Sequence, residues 1–252
     1  MCDTCGCGQE SFTMHGVSED VHHSHGHHHD HDHEHNHGDT KIISVETDVL
    51  AKNNLLAERN RGYFEAKGIK AFNLVSSPGS GKTTLLEKLI AQLKGTHTVY
   101  VIEGDQQTTN DAKRIESAGA KALQINTGNG CHLDAHMINH AVKSLDPENN
   151  AILFIENVGN LVCPALFDLG ESIRIVIAST TEGEDKPLKY PNMFQTSSVC
   201  ILNKTDLLPY LDFDKDAFLN NLKKVHPDIT LLETSAKTNE GIDAVVQFIL
   251  NN

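Results

Sequence analysis

The sequence predicts an α/β fold, a mainly parallel sheet with helices on both faces, preceded by a disordered tail rich in cysteine and histidine. Three observations lead there. Short apolar runs alternate with helical patterns along residues 41–252, the order produced by parallel strands joined through crossover helices. Three of the runs, 151–155 (AILFI), 173–178 (IRIVIA) and 199–202 (VCIL), are continuously aliphatic, as strands buried on both faces are. Charge and histidine content also change abruptly at about Lys41.

The tail comes first. Eleven of the 16 histidines lie between His15 and His37, and residues 1–40 hold eight acids with no Lys or Arg, so −8 of the net −13 is there. So polar a segment cannot bury enough surface to offset its ordering entropy, and disorder is predicted. The 252 residues then divide into a tail, 1–40, and one domain, 41–252. The acidic balance excludes broad electrostatic binding to nucleic acid or to an anionic membrane. With no Trp and 5% aromatics, a stacking platform for bases or sugars is not expected. No apolar stretch reaches the ~18–20 residues of a membrane span, and the first residues lack a basic n-region and an apolar h-region. A cytoplasmic chain is therefore expected, with its six cysteines as thiols or metal ligands.

Along the domain, residues 45–67 carry Val45, Val49, Leu50, Leu55, Leu56, Tyr63 and Phe64 at an approximate helical period that stops at Gly68. A strand at 71–76 (AFNLVS) enters a Gly-rich turn, and a helix at 83–93 follows with five inward aliphatics. Next come a strand at 98–102, a helix at about 109–118, a strand at 122–125 and a helix at 131–145. The three buried runs follow, then a helix at 214–225, a strand at 229–232 and a closing helix at 240–250.

The turn after the first strand reads Ser76-Ser77-Pro78-Gly79-Ser80-Gly81-Lys82-Thr83-Thr84. Apart from Ser76 in place of the first glycine, it follows the phosphate-loop pattern G-x-x-x-x-G-K-[ST]. Gly79 and Gly81 let backbone amides approach a phosphate, with Ser80 between them. Lys82 supplies a point charge, Thr83 a hydroxyl for Mg2+, and the helix start at Thr83 and Thr84 its unpaired amides. The base is read later. Asn203-Lys204-Thr205-Asp206 follows a buried strand and matches N-K-x-D. A carboxylate at Asp206 accepts from the ring N–H and the exocyclic amine of guanine, donors that adenine does not present there. Asn203 can tie loops together or hold the purine N7, and the Lys204 stem can cover the base. Ser235-Ala236-Lys237 after the last strand supplies a second base loop. The motifs together favour GTP over ATP. Asp105 and Glu156 end strands on the phosphate side and are assigned with Thr83 to Mg2+, directly or through water. Lys82, Asp105 and Glu156 form the expected catalytic set. No Gln or Arg is placed to direct water, so slow turnover is expected.

Three groups have metal-ligand chemistry. Cys2, Cys5 and Cys7 lie in C-x-x-C-G-C, three thiolates with the α-amine close by, which suits a soft or borderline ion such as Ni2+. Ten histidines between His22 and His37 alternate with Asp30, Asp32 and Glu34, and imidazole clusters hold Zn, Cu or Ni; a storage role is expected. Inside the domain, Cys131 and His132 open the expected helix, His136 is one turn on, and Cys163 lies just past Glu156. His140 is left out as too far down the helix, and Cys200 is read as core.

These residues together resemble the HypB family of nickel-inserting GTPases of [NiFe] hydrogenase maturation. The segments PGSGKTTLL (78–86), EGDQQT (103–108), GNGCHLDAHM (128–137), ENVGNLVCP (156–164), GEDKPLKYP (183–191) and NKTD (203–206) carry the resemblance, which spans 41–252. It implies a Rossmann-like P-loop GTPase fold that forms a GTP-dependent homodimer. It implies a domain metal site at Cys131, His132 and Cys163, with His136 as a further zinc ligand in some members, and a nickel site at Cys2, Cys5 and Cys7. The implied cofactors are GTP, Mg2+, Ni2+ and Zn2+. The implied partners are a HypA-type nickel metallochaperone and the hydrogenase large-subunit precursor. Three alternatives compete: a urease-type nickel GTPase, which resembles a Cys-Pro-His pattern instead; a nickel reservoir with a regulatory G domain, which an intact Lys82, Thr83 and Asp206 disfavour; and a cobalamin-enzyme chaperone, which would lack the Cys- and His-rich tail.

Overall fold

The structure, a computed structural model, describes residues 13–15, 21–22, 38–105, 110–128 and 130–252, with side chains from Asp48 onward apart from Asn110. In chain order the elements are β1 Thr13–His15, β2 Val21–His22, α1 Gly38–Lys67, β3 Lys70–Ser76, α2 Lys82–Leu93, β4 Val99–Asp105, α3 Asn110–Ala118, β5 Lys121–Asn126, α4 Ala135–Leu145, β6 Ile152–Glu156, β7 Ile173–Ser179, α5 Lys186–Lys189, α6 Pro191–Gln195, β8 Val199–Asn203, α7 Lys215–Val225, β9 Thr230–Glu233 and α8 Ile242–Asn251. The sheet runs β2-β1-β5-β4-β6-β3-β7-β8-β9. From β5 to β9 every pairing is parallel, as the buried aliphatic runs require.

Each strand of the centre feeds both faces. Phe72 and Leu74 of β3 pack with Leu85, Leu86, Leu89 and Ile90 of α2 and with α8. Ala71, one residue out of phase, packs with Phe64 of α1 and Ile138 and Val142 of α4. Val75 meets Phe194 of α6 and Phe218 and Leu222 of α7. This is the period-2 alternation of a strand with two buried sides. α1 stops at Gly68, whose φ of 65° closes a C-cap in which the Ile69 amide donates to Phe64 O at 2.8 Å.

The chain leaves β3 for β4 by skipping the place later filled by β6, then returns to the other side of β3 with β7. The carboxyl ends of β3 and β6 thus form a topological switch, where α/β sheets open a ligand crevice.

Two corrections to the sequence reading matter for function. The helix read from residue 131 begins at Ala135, because Asp134 caps it by accepting from the Met137 amide at 2.8 Å. Cys131 and His132 lie in the preceding turn, so they do not share a helical face with His136. Within the segment read as a tail, β1 pairs antiparallel with β2 and with β5, Met14 opposite Ile125, and α1 starts at Gly38, before the boundary read at Lys41. The thiolate group Cys2, Cys5 and Cys7 and the histidines from 23 to 37 lie outside the described residues.

Candidate nucleotide and metal sites

Ser76 is the last residue of β3 and is buried. Its extended backbone continues the strand, so the glycine usual at this position of the pattern is not needed. The bend comes later, at Gly79 (φ 76°) and Gly81 (φ 92°). A Cβ on Gly81 would lie 2.7 Å from Asn203 Nδ2, so glycine is required there for space as well as for its dihedral. Gly81 leads directly into α2, whose first turn has neither a capping side chain nor an acid. Unpaired amides and the helix dipole therefore face a cavity of about 570 Å³ between the loop and the ends of β4 and β6.

Glu156 ends β6 against this loop. Its Oε1 accepts from Thr83 Oγ1 at 2.6 Å and lies 3.3 Å from Lys82 Nζ. Its Oε2 is buried without a hydrogen-bond partner. Glu103 is the in-register neighbour of Glu156 on β4, which puts both carboxyls on one side of the sheet. Burial first, then Glu156 and Asp105, push the Glu103 carboxyl up to about 8, and its Oε2 also has no partner. Asp105, at the end of β4, lines the same cavity. Three carboxyls line this side of the cavity, two with unsatisfied buried oxygens. That is a poor arrangement by itself and a good one for a divalent cation with oxygen ligands. Thr83, Asp105 and Glu156 fit Mg2+. Sequence reading passed over Glu103, because which strand lies beside β4 is a tertiary fact. It also passed over Lys186, whose Nζ donates to Ser77 Oγ at 3.3 Å, and Arg114, whose guanidinium reaches Thr84 Oγ1 at 3.2 Å. Lys186 lies inside GEDKPLKYP, the available signal.

The residues that the sequence assigns to the base converge beside the loop. Asn203 donates to Ser80 O at 3.0 Å and accepts from Thr234 Oγ1 at 3.2 Å and the Ala236 amide at 3.3 Å. Its amide is thus the tie between three loops. Lys204, left-handed at φ 63°, lays its stem along the loop and donates to Gly79 O at 2.7 Å. Asp206 Oδ1 accepts from Ser235 Oγ at 2.6 Å, and Ser235 Oγ accepts from the Thr238 amide at 3.1 Å. These bonds orient the carboxylate and shape the 235–238 turn, with Ala236 buried and Lys237 exposed in it.

Thirty-two residues apart in sequence, Cys131 and Cys163 meet with their Sγ atoms 2.8 Å apart. His132 Nδ1 is 3.6 Å from Cys131 Sγ, and the three ligand atoms lie within 4.8 Å of one another. His132 is buried with its ring stacked on Phe167 at 3.9 Å. Burial holds its pKa below the ordinary range, so the ring stays neutral, the form that ligates a metal. Two thiols and an imidazole fit Zn2+ or Ni2+. His136 is not part of this group; on α4 its ring faces His140. Cys200 is fully buried in β8 and its thiol is pushed far up by burial, as a core residue.

One segment joins the two centres. Asn157, next to Glu156, accepts from the Leu133 amide at 3.1 Å. Gly159 lies against Pro78 of the phosphate loop, where a Cβ would meet the Pro78 backbone at 3.1 Å. Asn160 donates to Cys131 O at 3.3 Å, and Cys163 follows.

A parallel α/β sheet with this loop at its switch point defines a nucleotide-binding P-loop protein. Residues 70–233 match the family model described as CobW/HypB/UreG, nucleotide-binding domain. Among curated proteins, the hydrogenase maturation factor HypB of Rhizobium leguminosarum bv. viciae is 58% identical over 204 residues, 81% of this chain and 68% of that one. HypB of Escherichia coli (strain K12) is 57% identical over 203 residues, 81% and 70% of the two chains. The crystal structure of HypB from Helicobacter pylori in complex with nickel superposes with a TM-score of 0.76 at 39% identity, covering 79% of this chain and 94% of that one. The chain belongs to the HypB hydrogenase maturation factors of the CobW/HypB/UreG family.

Proposed function

We propose that this chain hydrolyses GTP and uses the nucleotide cycle to deliver nickel to the large-subunit precursor of a [NiFe] hydrogenase. One observation carries the reading: Glu156, in contact with Lys82 and Thr83, and Cys163, in contact with Cys131, lie on the same short segment. A change at the phosphates is thereby a change beside a thiolate.

In this reading the amides from Gly79 to Thr84 hold the phosphates, with Lys82 as the counter-charge. Thr83, Asp105 and Glu156 would hold Mg2+, which would supply positive charge to offset that of the phosphates. Asn203, Lys204 and Asp206, with Ser235, Ala236 and Lys237, select guanine. Cys131, His132 and Cys163 carry the cargo ion, and Cys2, Cys5 and Cys7 hold nickel at the N-terminus. The ion's route runs from a HypA-type metallochaperone to the hydrogenase precursor, in the cytoplasm, with a GTP-dependent homodimer as the working form. Slow turnover is expected. The test has two arms. Purified chain should turn over GTP and lose turnover in Lys82→Ala. In cells lacking their own HypB, the parent should restore hydrogenase activity without added nickel, and Cys163→Ala should restore it only with excess nickel. Turnover that survives in Lys82→Ala overturns the GTPase reading. Full rescue by Cys163→Ala without nickel overturns the delivery reading.

A further inference from the structure

An imidazole ligates along a lone pair that lies in its ring plane, and the torsion that turns the ring about Cβ–Cγ has broad wells. Metal-ligating histidines are therefore ordinarily held by an acceptor on the second ring nitrogen. Among the described residues, the His132 ring has one polar neighbour, Cys131 Sγ at 3.6 Å from Nδ1, and no carboxylate or carbonyl bonded to its other nitrogen. It has Phe167 instead: the ring centroids are 3.9 Å apart, the planes lie 24° from parallel, and both residues are buried. We propose, resting on the reading of Cys131, His132 and Cys163 as the ion's ligands, that Phe167 is the positioning residue of this site, setting the plane of the imidazole by stacking where a hydrogen bond usually does so.

Phe167 is itself braced against the sheet. Arg174 of β7 is buried, and its Nη2 donates to Phe167 O at 2.9 Å while Nη1 donates to Ala165 O at 3.3 Å. Its Nε donates to Glu171 Oε1 at 2.9 Å, and Glu171 Oε2 accepts from the Leu169 amide at 2.8 Å. Asn60 of α1 donates to Leu169 O at 3.0 Å and to Ala135 O at 2.9 Å. One side chain thus ties the segment after Phe167 to the segment after His132. The same guanidinium holds the turn of Cys163, in which the Leu166 amide donates to Cys163 O at 3.1 Å. A thiolate and the stacked ring therefore come from one braced stretch, four residues apart. A phenyl face stops the imidazole from turning and leaves its in-plane lone pair uncovered. An aliphatic side chain fills the same space without imposing a plane.

The test is titration with Co2+ against a competing chelator, on the full chain carrying Cys2→Ser, Cys5→Ser and Cys7→Ser. Cys200 is fully buried and the histidines of residues 15–37 carry no sulfur, so sulfur-to-cobalt charge-transfer absorption reports on Cys131 and Cys163. In that background Phe167→Leu should raise the free Co2+ needed for half-saturation about tenfold or more, the usual effect of removing the support of a ligating histidine. At saturation it should keep the charge-transfer intensity, because both thiolates remain, and change the d–d bands, because the imidazole has turned. Phe167→Tyr, which keeps the ring, should behave as the parent. Circular dichroism checks each fold, and Phe167→Met, which also lacks a plane, replaces Phe167→Leu should that variant not fold. Half-saturation unchanged in the aliphatic variant overturns the proposal, as does a loss in Phe167→Tyr equal to that in the aliphatic variant. Charge-transfer absorption that Cys163→Ser leaves undiminished overturns the metal reading of the site, and the proposal with it.

Discussion

Asp206→Asn should weaken GTP binding about a hundredfold while leaving the fold intact. Asp206 Oδ1 accepts from Ser235 Oγ at 2.6 Å, and the Ser235 hydroxyl oxygen is already occupied by the Thr238 amide. An asparagine therefore keeps its carbonyl oxygen toward Ser235 and turns its NH2 toward the base. Guanine offers two donors at that edge, so one charge-assisted bond is replaced by facing donors and the other, to the remaining carbonyl oxygen, loses its charge. Such bonds contribute on the order of 1.5–3 kcal/mol each. Taking about 3 kcal/mol in total as the lower bound, and about 1.4 kcal/mol per tenfold, gives the hundredfold loss. The same reorientation predicts a gain. Xanthine carries a carbonyl where guanine carries its exocyclic amine, so the Asn NH2 should accept XTP better than Asp206 does. The assay is equilibrium titration with GTP and XTP, with thermal unfolding as the control. Unchanged GTP affinity at unchanged stability would refute the base-reading assignment, as would weakened GTP binding with no gain for XTP.

Deleting residues 15–37 should lower the nickel bound per chain and leave GTP turnover unchanged, read by metal analysis and phosphate release; equal stoichiometry removes the storage role. Nickel and zinc affinity at Cys131, His132 and Cys163 should differ between GDP and a non-hydrolysable GTP analogue, because residues 156–163 touch both centres. Linkage then requires the metal to shift the GTP/GDP preference by the same factor; competition titrations on chain lacking residues 1–37 that give identical affinities sink this coupling. Glu103, ordinarily near 4.5 and about 8 in the fold, binds more proton folded than unfolded between those values. Without nucleotide or Mg2+, its contribution is therefore fully present below about pH 4.5 and is lost as pH rises toward 8, by a few kcal/mol at most. Thermal midpoints across that range should fall less in Glu103→Gln, and parallel curves for parent and variant would show that Glu103 is not the group.

The local features of this protein were legible because local physics makes them. Buried aliphatic runs read as central parallel strands, and glycines followed by Lys82 and Thr83 between a strand and an amphipathic helix read as an anion-binding turn. Asn203 and Asp206 could be read because four residues at a strand end carry their own chemistry. What lay beyond the sequence was adjacency across the sheet and the exact start of a helix. Cys131 meets Cys163 across thirty-two residues because β6 inserts between β3 and β4. Glu103 becomes a buried partner of Glu156 for the same reason. A helical period continues smoothly back through Cys131, but the Asp134 side chain bonding to Met137 starts the helix at Ala135. That four-residue difference takes His136 away from His132 and turns it toward His140. Composition and motif therefore determine that a nucleotide loop and metal donors are present. Strand order and one helix cap decide which donors share an ion, because ligation needs atoms a few ångströms apart and only the folded chain sets that distance.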